Sequence, residues 1–349
     1  MISAKESGCP LPYDDSRHVL LAHGEGGKLT RRLLDEHVFP RLFGADRRPL
    51  EDAAVLPRLA GSPVMTTDSF VVSPLFFPGG DIGSLAVYGT VNDLLVRGAR
   101  PLWLTLSMIL EEGLSLEVFD LVLERIAAAA RRCGVEIVAG DSKVVPRGAA
   151  DGLFLTTAGL GQLVEPAPEG VDEFEEGDVV LVTGPIGCHG IAILAAREAL
   201  QFDPSPTSDC APLTAAVAAL RTSKVRVRAM RDATRGGVTA VLHEWARDSG
   251  RTLFVDERRI PVTAEVRGAC ELLGLDPLSV ANEGTMVVVV PQVEADRALA
   301  ALRTVQMCDR ASVIGEVRVR GAVAVVVRRA LGREQPLLEP SGAPLPRIC

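Results

Sequence analysis

Apolar residues along the chain occur in short runs that alternate with longer stretches of helical spacing. In the first half, strand-like runs occupy 64–72, 101–110, 135–139 and 156–161, and helix-like stretches occupy 81–97 and 116–132. The second half has strand-like runs at 178–182, 285–290, 313–319 and 322–328, and helix-like stretches at 211–220 and 238–247. Ala, Val, Leu and Gly dominate and aromatic residues are scarce, so pattern and composition together suit an α/β or α+β enzyme.

The length of the chain and its Pro/Gly punctuation predict two domains. A chain of 349 residues is long enough for two separate cores, and a Pro- and Glu-rich stretch at 165–170 divides the pattern into halves. We expect a flexible N-terminus (1–17), an N-terminal domain (18–163), a linker (164–176), a C-terminal domain (177–331) and a flexible tail (332–349).

The predicted tail carries repeated prolines and ends in a cysteine, Cys349. Prolines disfavour both a helix and a central strand there, and an extended chain after Gly332 has a reach on the order of 50 Å. Two interpretations stay open: Cys349 is a mobile nucleophile that visits a distant site, or it is an incidental residue of a frayed terminus.

Charge and cysteine content exclude several classes of protein. The net charge of −8 argues against a nucleic-acid binder. The 7 cysteines are scattered without a C-x-x-C pair, which argues against a disulfide framework or a zinc ribbon. This cysteine pattern predicts that the protein is located in the reducing cytoplasm. We see no signal peptide and no apolar run long enough to span a membrane.

Four aspartates recur at the ends of predicted elements, namely Asp52, Asp68, Asp93 and Asp141. If they converge on one cleft, their repulsion calls for a hard cation such as Mg²⁺, which typically bridges carboxylates to nucleotide phosphates. The alternative is that each aspartate caps a helix or a turn. Their joint recurrence favours a metal-nucleotide site.

Three further stretches offer candidate chemistry. His23-Gly24-Glu25-Gly26-Gly27 lets backbone N–H groups approach a phosphate closely, although a flexible turn with a polar His23 fits the local sequence equally well. The turn 231–237, with Asp232 and Arg235, suits anion contacts at a helix start. Glu283 either caps a turn or, if desolvated in a cleft, acts as a general base.

Together these motifs closely resemble the HypE family of hydrogenase maturation carbamoyl dehydratases, within the aminoimidazole ribonucleotide synthetase-like (PurM-like) superfamily. The resemblance covers nearly the whole chain after Arg17 and rests on several motifs in order. They are His23–Gly27, Asp52–Leu56, Thr67–Val71, Phe77–Gly83, Gly89–Leu94, Gly140–Val145, Arg231–Gly237, Asn282–Gly284 and Pro346–Cys349.

The resemblance implies a two-domain PurM-like fold, with an N-terminal α/β domain whose sheet forms a homodimer and an α+β C-terminal domain. It also implies an ATP·Mg²⁺ site in the cleft. In this family a carbamoyltransferase, HypF, carbamoylates the terminal cysteine, and ATP-dependent dehydration converts the S-carboxamide to an S-thiocyanate. The cyano group then passes to iron on a HypC–HypD scaffold complex and becomes a cyanide ligand of the [NiFe] hydrogenase centre.

The resemblance also assigns roles to residues by motif position. Cys349 is carrier and substrate, and Lys143 and Glu283 match the proton-handling and oxygen-stabilising residues. The implied ATP-binding residues are His23, Gly24, Gly26, Gly27, Asp52, Asp68, Asn92, Asp93, Asp141, Asp232 and Arg235. The implied metal ligands are Asp52, Asp68, Asp93 and Asp141.

The sequence departs from the family pattern at Cys188, where many relatives carry Asp, and this puts a polar role of that position in doubt. Ser142, often Thr in relatives, keeps the hydroxyl, and Cys9 lacks the context of a reactive cysteine. Two other functions remain as alternatives: an ATP-dependent enzyme of the same fold acting on a free small molecule, and a non-enzymatic docking protein.

Overall fold

The computed structural model describes residues 17–44, 53–339, 342, 345 and 347–349. Of the predicted flexible N-terminus only Arg17 is among them, and the candidate ligand Asp52 lies outside the described residues. Across these described ranges, no helix is both long and apolar enough to cross a membrane.

The N-terminal domain is built on a four-stranded sheet. Its helices are α1 (Gly27–Leu33), α2 (Phe39–Phe43), α3 (Ile82–Val96) and α4 (Leu116–Cys133), with a π-helical segment, Leu34–Val38, between α1 and α2. Its strands are β1 (Pro63–Phe70), β2 (Phe76–Phe77), β3 (Gly80–Asp81), β4 (Ala99–Glu111), β5 (Glu136–Val145) and β6 (Leu153–Leu163). The sheet order is β1-β6-β4-β5, with β4 and β5 parallel and the other pairs antiparallel; β2 and β3 form a separate ribbon.

This sheet has one buried face and one open face, because side chains alternate along each strand. Leu104, Leu106 and Leu110 of β4 are buried on the face that α3 covers. On the other face Met65 is 72% exposed and Ile109 is 41% exposed. Large apolar side chains on an open sheet face are typical of a protein interaction surface.

Helix α3 carries the candidate residues Asn92 and Asp93 into the interior. Its N-terminus is fixed by Asp81, whose carboxylate accepts the Ser84 backbone N–H at 2.8 Å, and its residues are buried on nearly every side. A helix that is apolar all round belongs to a core, so a carboxylate such as Asp93 within it needs a compensating partner.

The C-terminal domain is built on a seven-stranded sheet. Its helices are α5 (Cys188–Arg197), α6 (Thr214–Thr222), α7 (Gly237–Ser249), α8 (Ala264–Leu273) and α9 (Ala295–Arg303). Its strands are β7 (Val179–Val182), β8 (Ala229–Asp232), β9 (Thr252–Asp256), β10 (Met286–Val290), β11 (Ser312–Arg318), β12 (Val325–Arg328) and β13 (Glu334–Pro336). The order is β13-β12-β9-β11-β7-β10-β8; β9 and β12 are parallel, and the other pairs are antiparallel.

The two domains share one continuous hydrophobic cluster. It joins Leu85 and Phe119 of the N-terminal domain to Ile191 of the C-terminal domain, and the tail residues Leu345 and Ile348 are buried in it. The predicted combination of α/β and α+β organisation is confirmed. The tail begins with the edge strand β13 and ends with residues seated between the domains, and its expected flexibility stays a prediction.

Candidate active site between the two domains

The C-terminal cysteine lies at the end of strand β1. The Val71 backbone N–H donates to an α-carboxylate oxygen of Cys349 at 3.1 Å, just beyond the last residue of β1. Burial, together with the nearby Glu283 and Asp68 carboxylates, raises the pKa of the Cys349 thiol to about 12, while Arg235 lowers it. The thiol is therefore protonated at neutral pH and lies within the electrostatic reach of three predicted site residues.

Asp68 and Asp93 form a carboxylate pair beside this thiol. Asp68 projects from β1 and Asp93 from α3, where its carboxylate accepts the Thr66 hydroxyl at 2.7 Å. Burial, and after it the charge and hydrogen bond of Asp93, raise the pKa of Asp68 to about 7. Arg235 is the nearby cation, with its guanidinium 3.9 Å from the Asp68 carboxylate.

Asp232 and Glu283 extend the acidic cluster into the C-terminal domain. Asp232 ends β8, and burial followed by the charges of Asp93 and Asp68 raises its pKa to about 7. Glu283 is 3% exposed, and its pKa is raised well above the ordinary value by burial first and then by Asp232, Asp209 and Asp68. A buried glutamate that holds its proton strongly is an effective proton acceptor once ionised.

The cluster has the chemistry of a site for a hard cation with phosphate. Among the described residues, no group of three or more His, Cys, Asp or Glu is close enough to hold a metal ion as it stands. The charge of Asp93 nevertheless raises the pKa of both Asp68 and Asp232, and an oxygen-seeking divalent cation relieves that kind of repulsion. These three carboxylates fit the predicted ligand type.

The Glu283 loop is held by Asp209, which the sequence analysis did not identify. The Asp209 carboxylate accepts the backbone N–H groups of Glu283 at 3.1 Å and Gly284 at 3.0 Å. A Cβ at Gly284 would lie 1.9 Å from the Asp209 carbonyl oxygen, so only glycine fits there. No local sequence pattern points to Asp209, because its partners lie 74 and 75 residues away.

Asn92 was expected to contact the nucleotide, and the structure gives it a different role. Its side chain is 1% exposed, and its amide oxygen accepts the Leu213 N–H at 2.8 Å. Its amide nitrogen donates to the carbonyl oxygens of Ala211 at 3.1 Å and Glu283 at 3.4 Å. With oxygen and nitrogen both engaged inside the protein, Asn92 supports the Glu283 loop instead of facing a ligand.

The remaining predicted residues form a second group at the opposite edge of the N-terminal sheet. Asp141 and Lys143 project from β5, 3.7 Å apart, with their side chains 65% and 66% exposed. Register pairs Asp68 with Gly140 across the sheet, whereas Asp141 is in line with Ser69, so Asp141 is on the open face and Asp68 on the covered face. Three strand spacings, about 14 Å in total, separate β1 from β5.

The glycine loop belongs to this second group. Gly24 approaches β5 so closely that a Cβ would lie 2.5 Å from the Val144 nitrogen. Gly26 and Gly27 have positive φ of 85° and 80°, and they lead into α1. His23 is buried and accepts the Leu20 N–H at 2.9 Å through Nδ1, so it supports the turn that carries the loop.

Cys188, the departure from the family pattern, begins helix α5. The residue is buried, and desolvation raises the pKa of its thiol to about 12. A buried, protonated thiol is chemically inert, which agrees with the doubt about a polar role at this position.

Residues 50–163 match the family described as AIR synthase related protein, N-terminal domain, and residues 175–328 match the corresponding C-terminal domain family. These matches and the two-domain architecture define an AIR synthase-related protein.

The closer relatives are hydrogenase maturation proteins. Carbamoyl dehydratase HypE of Cupriavidus necator is 45% identical over 343 residues, which cover 97% of each chain. A solved structure of hydrogenase maturation protein HypE in complex with ATP has a TM-score of 0.89 and 43% identity, covering 95% of this chain and 99% of that one. A HypE–HypF complex matches with a TM-score of 0.76 and 43% identity, covering 88% and 99%. The chain belongs to the HypE carbamoyl dehydratase family.

The raised pKa of Cys349 predicts slow alkylation of the folded protein. With a pKa of about 12, against about 8.5 for a free thiol, iodoacetamide should modify Cys349 roughly a thousandfold more slowly at pH 8 than it modifies a free Leu-Pro-Arg-Ile-Cys peptide. The rate on the protein should keep rising about tenfold per pH unit beyond pH 9, where the peptide levels off. Peptide mapping by mass spectrometry measures both rates; equal rates at pH 8 would place the thiol in solvent.

The raised pKa of Asp232 predicts that its removal stabilises the unliganded protein at neutral pH. The folded pKa of about 7 exceeds the ordinary 3.8, so wild-type stability is lost as pH rises from about 4 to 7. Asp232→Asn should therefore gain up to about 4 kcal/mol above pH 7 and nothing near pH 3.5. Denaturant unfolding at several pH values tests this, with exposed Asp248→Asn as the control; a pH-independent difference contradicts it.

Proposed function

We propose that this protein is an ATP-dependent carbamoyl dehydratase that acts on the S-carboxamide of its own Cys349 and supplies cyanide ligands for [NiFe] hydrogenase. The observation that carries the proposal is the position of Cys349. Its thiol is close enough to Glu283, Asp68 and Arg235 for their charges to shift its pKa. Supporting it are the relatives described as carbamoyl dehydratase HypE and the related structure that holds ATP.

The reaction needs an activated oxygen and a proton acceptor. The carboxamide oxygen of the thiocarbamate takes the γ-phosphoryl group of ATP, two N–H protons leave, and the C–O bond breaks to release phosphate. Thiocarbamate and ATP thus become thiocyanate, ADP and phosphate, with the oxygen of the amide in the phosphate. We assign the removal of the nitrogen protons to Glu283, whose backbone Asp209 holds and whose charge acts on Cys349.

We assign cation binding to the carboxylates of the cleft. Asp68, Asp93 and Asp232 would hold Mg²⁺, which when bound neutralises phosphate charge. Arg235, 3.9 Å from Asp68, stands beside this cluster as a second source of positive charge. Within one chain, this cluster does not include Asp141, Lys143 or the His23–Gly27 loop, which lie at the opposite edge of the N-terminal sheet.

We therefore propose a homodimer in which the second group of one protomer completes the cleft of the other. The open face of the N-terminal sheet carries Met65 and Ile109 as well as Asp141 and Lys143, so pairing of two such faces buries apolar surface and brings both charged residues into the interface. Lys143 then supplies a cation to the partner's substrate oxygen, and the glycine loop approaches its phosphates.

Two partners follow from this chemistry. A carbamoyltransferase, HypF, must load Cys349, in keeping with the related HypE–HypF complex, and a HypC–HypD iron scaffold receives the cyano group.

Because a buried thiol is unreactive, the tail must leave its position between the domains for loading. We place the protein in the cytoplasm and expect neither nucleic acid nor membrane as a partner. An enzyme for a free small molecule is less consistent with a cleft that its own C-terminus fills.

The dehydratase reaction can be followed by intact mass. After loading by the cognate carbamoyltransferase with carbamoyl phosphate, Cys349 should carry a carboxamide that loses the mass of water only when Mg·ATP is added. Glu283→Gln should retain ATP binding and loading but slow the loss of water by about 10²- to 10⁴-fold.

The exposed Glu271→Gln in the same domain is the matched control and should behave as wild type. Full ATP hydrolysis with an unmodified Cys349 would reject the tail as substrate. Normal dehydration by Glu283→Gln would reject the assigned base and leave the overall reaction standing.

Mixed dimers test the shared site. Lys143→Ala and Glu283→Gln homodimers should both be inactive, because each lacks one half of every cleft. After subunit exchange, heterodimers contain one intact cleft, so about a quarter of wild-type activity should return at equal mixing. Recovery should be absent when two different variants of Glu283 are mixed; failure of the Lys143–Glu283 mixture to recover, with exchange verified by mass, would place both residues in one protomer's site.

A further inference from the structure

His189 has both ring nitrogens engaged in the buried contact between helix α5 and the tail. It is the second residue of α5 and is completely buried. Its Nδ1 lies 2.8 Å from the Ser208 hydroxyl, and its Nε2 lies 2.6 Å from the Ile348 carbonyl oxygen. The Phe77 ring packs edge-on against the imidazole, with centroids 5.5 Å apart. A single rigid side chain thus joins the body of the protein to the residue before Cys349.

The hydrogen-bond partners of His189 determine its tautomer. The Ile348 carbonyl can only accept, so Nε2 must carry the proton. Ser208 Oγ accepts the Cys210 N–H at 3.0 Å, which leaves its own proton free to donate to Nδ1. Burial lowers the pKa of His189, which favours the neutral ring. Ser208 therefore aims an N–H donor of His189 at the tail.

His189 is the central member of a row of three donors. Arg197 donates to the Arg347 carbonyl oxygen, His189 to that of Ile348, and the Val71 N–H to an α-carboxylate oxygen of Cys349. Arg197 also donates to the Ser73 carbonyl at 3.0 Å, so the row spans both domains.

The end of the tail is thus held against its own conformational preference. Arg347 has φ of 53°, a left-handed conformation that is unfavourable for a non-glycine residue and persists where the surroundings impose it. The three successive contacts to main-chain oxygens supply that constraint.

Two adjacent residues of one turn, Ser208 and Asp209, hold His189 and the candidate base Glu283. Ser208 orients His189, and the next residue, Asp209, holds the backbone of Glu283. A displacement of this turn would shift donor and base together, so the turn keeps their relative position constant. Reaction within a bound pair depends strongly on such alignment.

We propose that His189 is a positioning residue for the dehydration: its Nε2–H holds the Ile348 carbonyl and thereby fixes the Cys349 carboxamide against Glu283. The proposal rests on the proposed function for its kinetic consequence, whereas the seating of the tail by His189 stands independently of it. A purely structural histidine would contribute to stability without governing the position of the tail.

The test compares two histidines that make the same kind of bond. His243 Nε2 lies 2.9 Å from the Leu337 carbonyl oxygen and makes none of the contacts that hold residues 347–349. His243→Leu is therefore the matched control for His189→Leu. Three quantities are measured on the full-length protein: alkylation of Cys349 by iodoacetamide, single-turnover loss of water at saturating Mg·ATP, and the ATP concentration for half-maximal rate.

We expect His189→Leu to speed alkylation of Cys349 and to slow dehydration by about tenfold or more each, with half-saturation by ATP unchanged. His189→Gln, whose Nε2 can still donate to the carbonyl, should restore most of the protection from alkylation and most of the dehydration rate. His243→Leu should lower Tm but leave both rates as in wild type. Ser208→Ala, which frees the tautomer, should give a smaller change in the same direction and serves as the test if His189→Leu does not fold.

The proposal is overturned if His189→Leu, or Ser208→Ala in its place, lowers Tm while Cys349 stays as protected as in wild type. It is equally overturned if His243→Leu changes both rates to the same extent. Faster alkylation by His189→Leu in a protein whose wild type never dehydrates its tail would support the seat and reject the proposed function, so the two failures are distinguishable.

Discussion

Repulsion among buried carboxylates is the constraint on which the cleft depends. Asp68, Asp232 and Glu283 come from three different places in the chain. Asp68 raises the pKa of Asp232, and both raise the pKa of Glu283, because burial removes the water that would screen them. Such a cluster destabilises the free protein, and hydrogen bonds from the Asn92 amide and to the Asp209 carboxylate hold the Glu283 main chain in place. A bound cation relieves the unfavourable negative charge, and this couples ligand binding to the state of the cleft.

The same constraint determines which chemical forms of the tail the cleft accepts. A thiolate at Cys349 would add another negative charge beside Glu283 and Asp68, and the thiol pKa of about 12 reflects burial first and this repulsion second. A neutral thiol, carboxamide or thiocyanate avoids the repulsion. Nucleophilic attack on a carbamoyl donor needs the thiolate, which forms readily only in solvent. Loading and dehydration are therefore separated in space by electrostatics, and the tail must alternate between two environments.

The sequence predicted the two-domain architecture and most of the acidic cluster, because short motifs and strand ends are local features. Asp68, Asp93, Asp232, Arg235 and Glu283 do meet. It did not predict that Asp141 and Lys143 face away from them, since a strand's face depends on register and on a bulge near Leu104. Nor did it predict His189, Ser208 and Asp209, whose partners are distant in sequence. For Asn92 the sequence left the partner open, because a polar residue in an apolar helix indicates burial with a partner but not which partner.

The contacts that seat the tail do not distinguish its chemical states. Arg197, His189 and Val71 bind main-chain oxygens, and the side chains of Leu345 and Ile348 are buried among apolar residues. Every recognised atom therefore precedes the Cys349 sulfur or belongs to the main chain. Thiol, carboxamide and thiocyanate tails therefore gain similar free energy from these contacts. A ligand can shift an equilibrium only through a difference in affinity between states. The order of loading and dehydration must then come from the acidic cluster, whose charge changes when the nucleotide binds. The cluster acts on the group attached to the Cys349 sulfur, which is the part of the tail that differs between the three states.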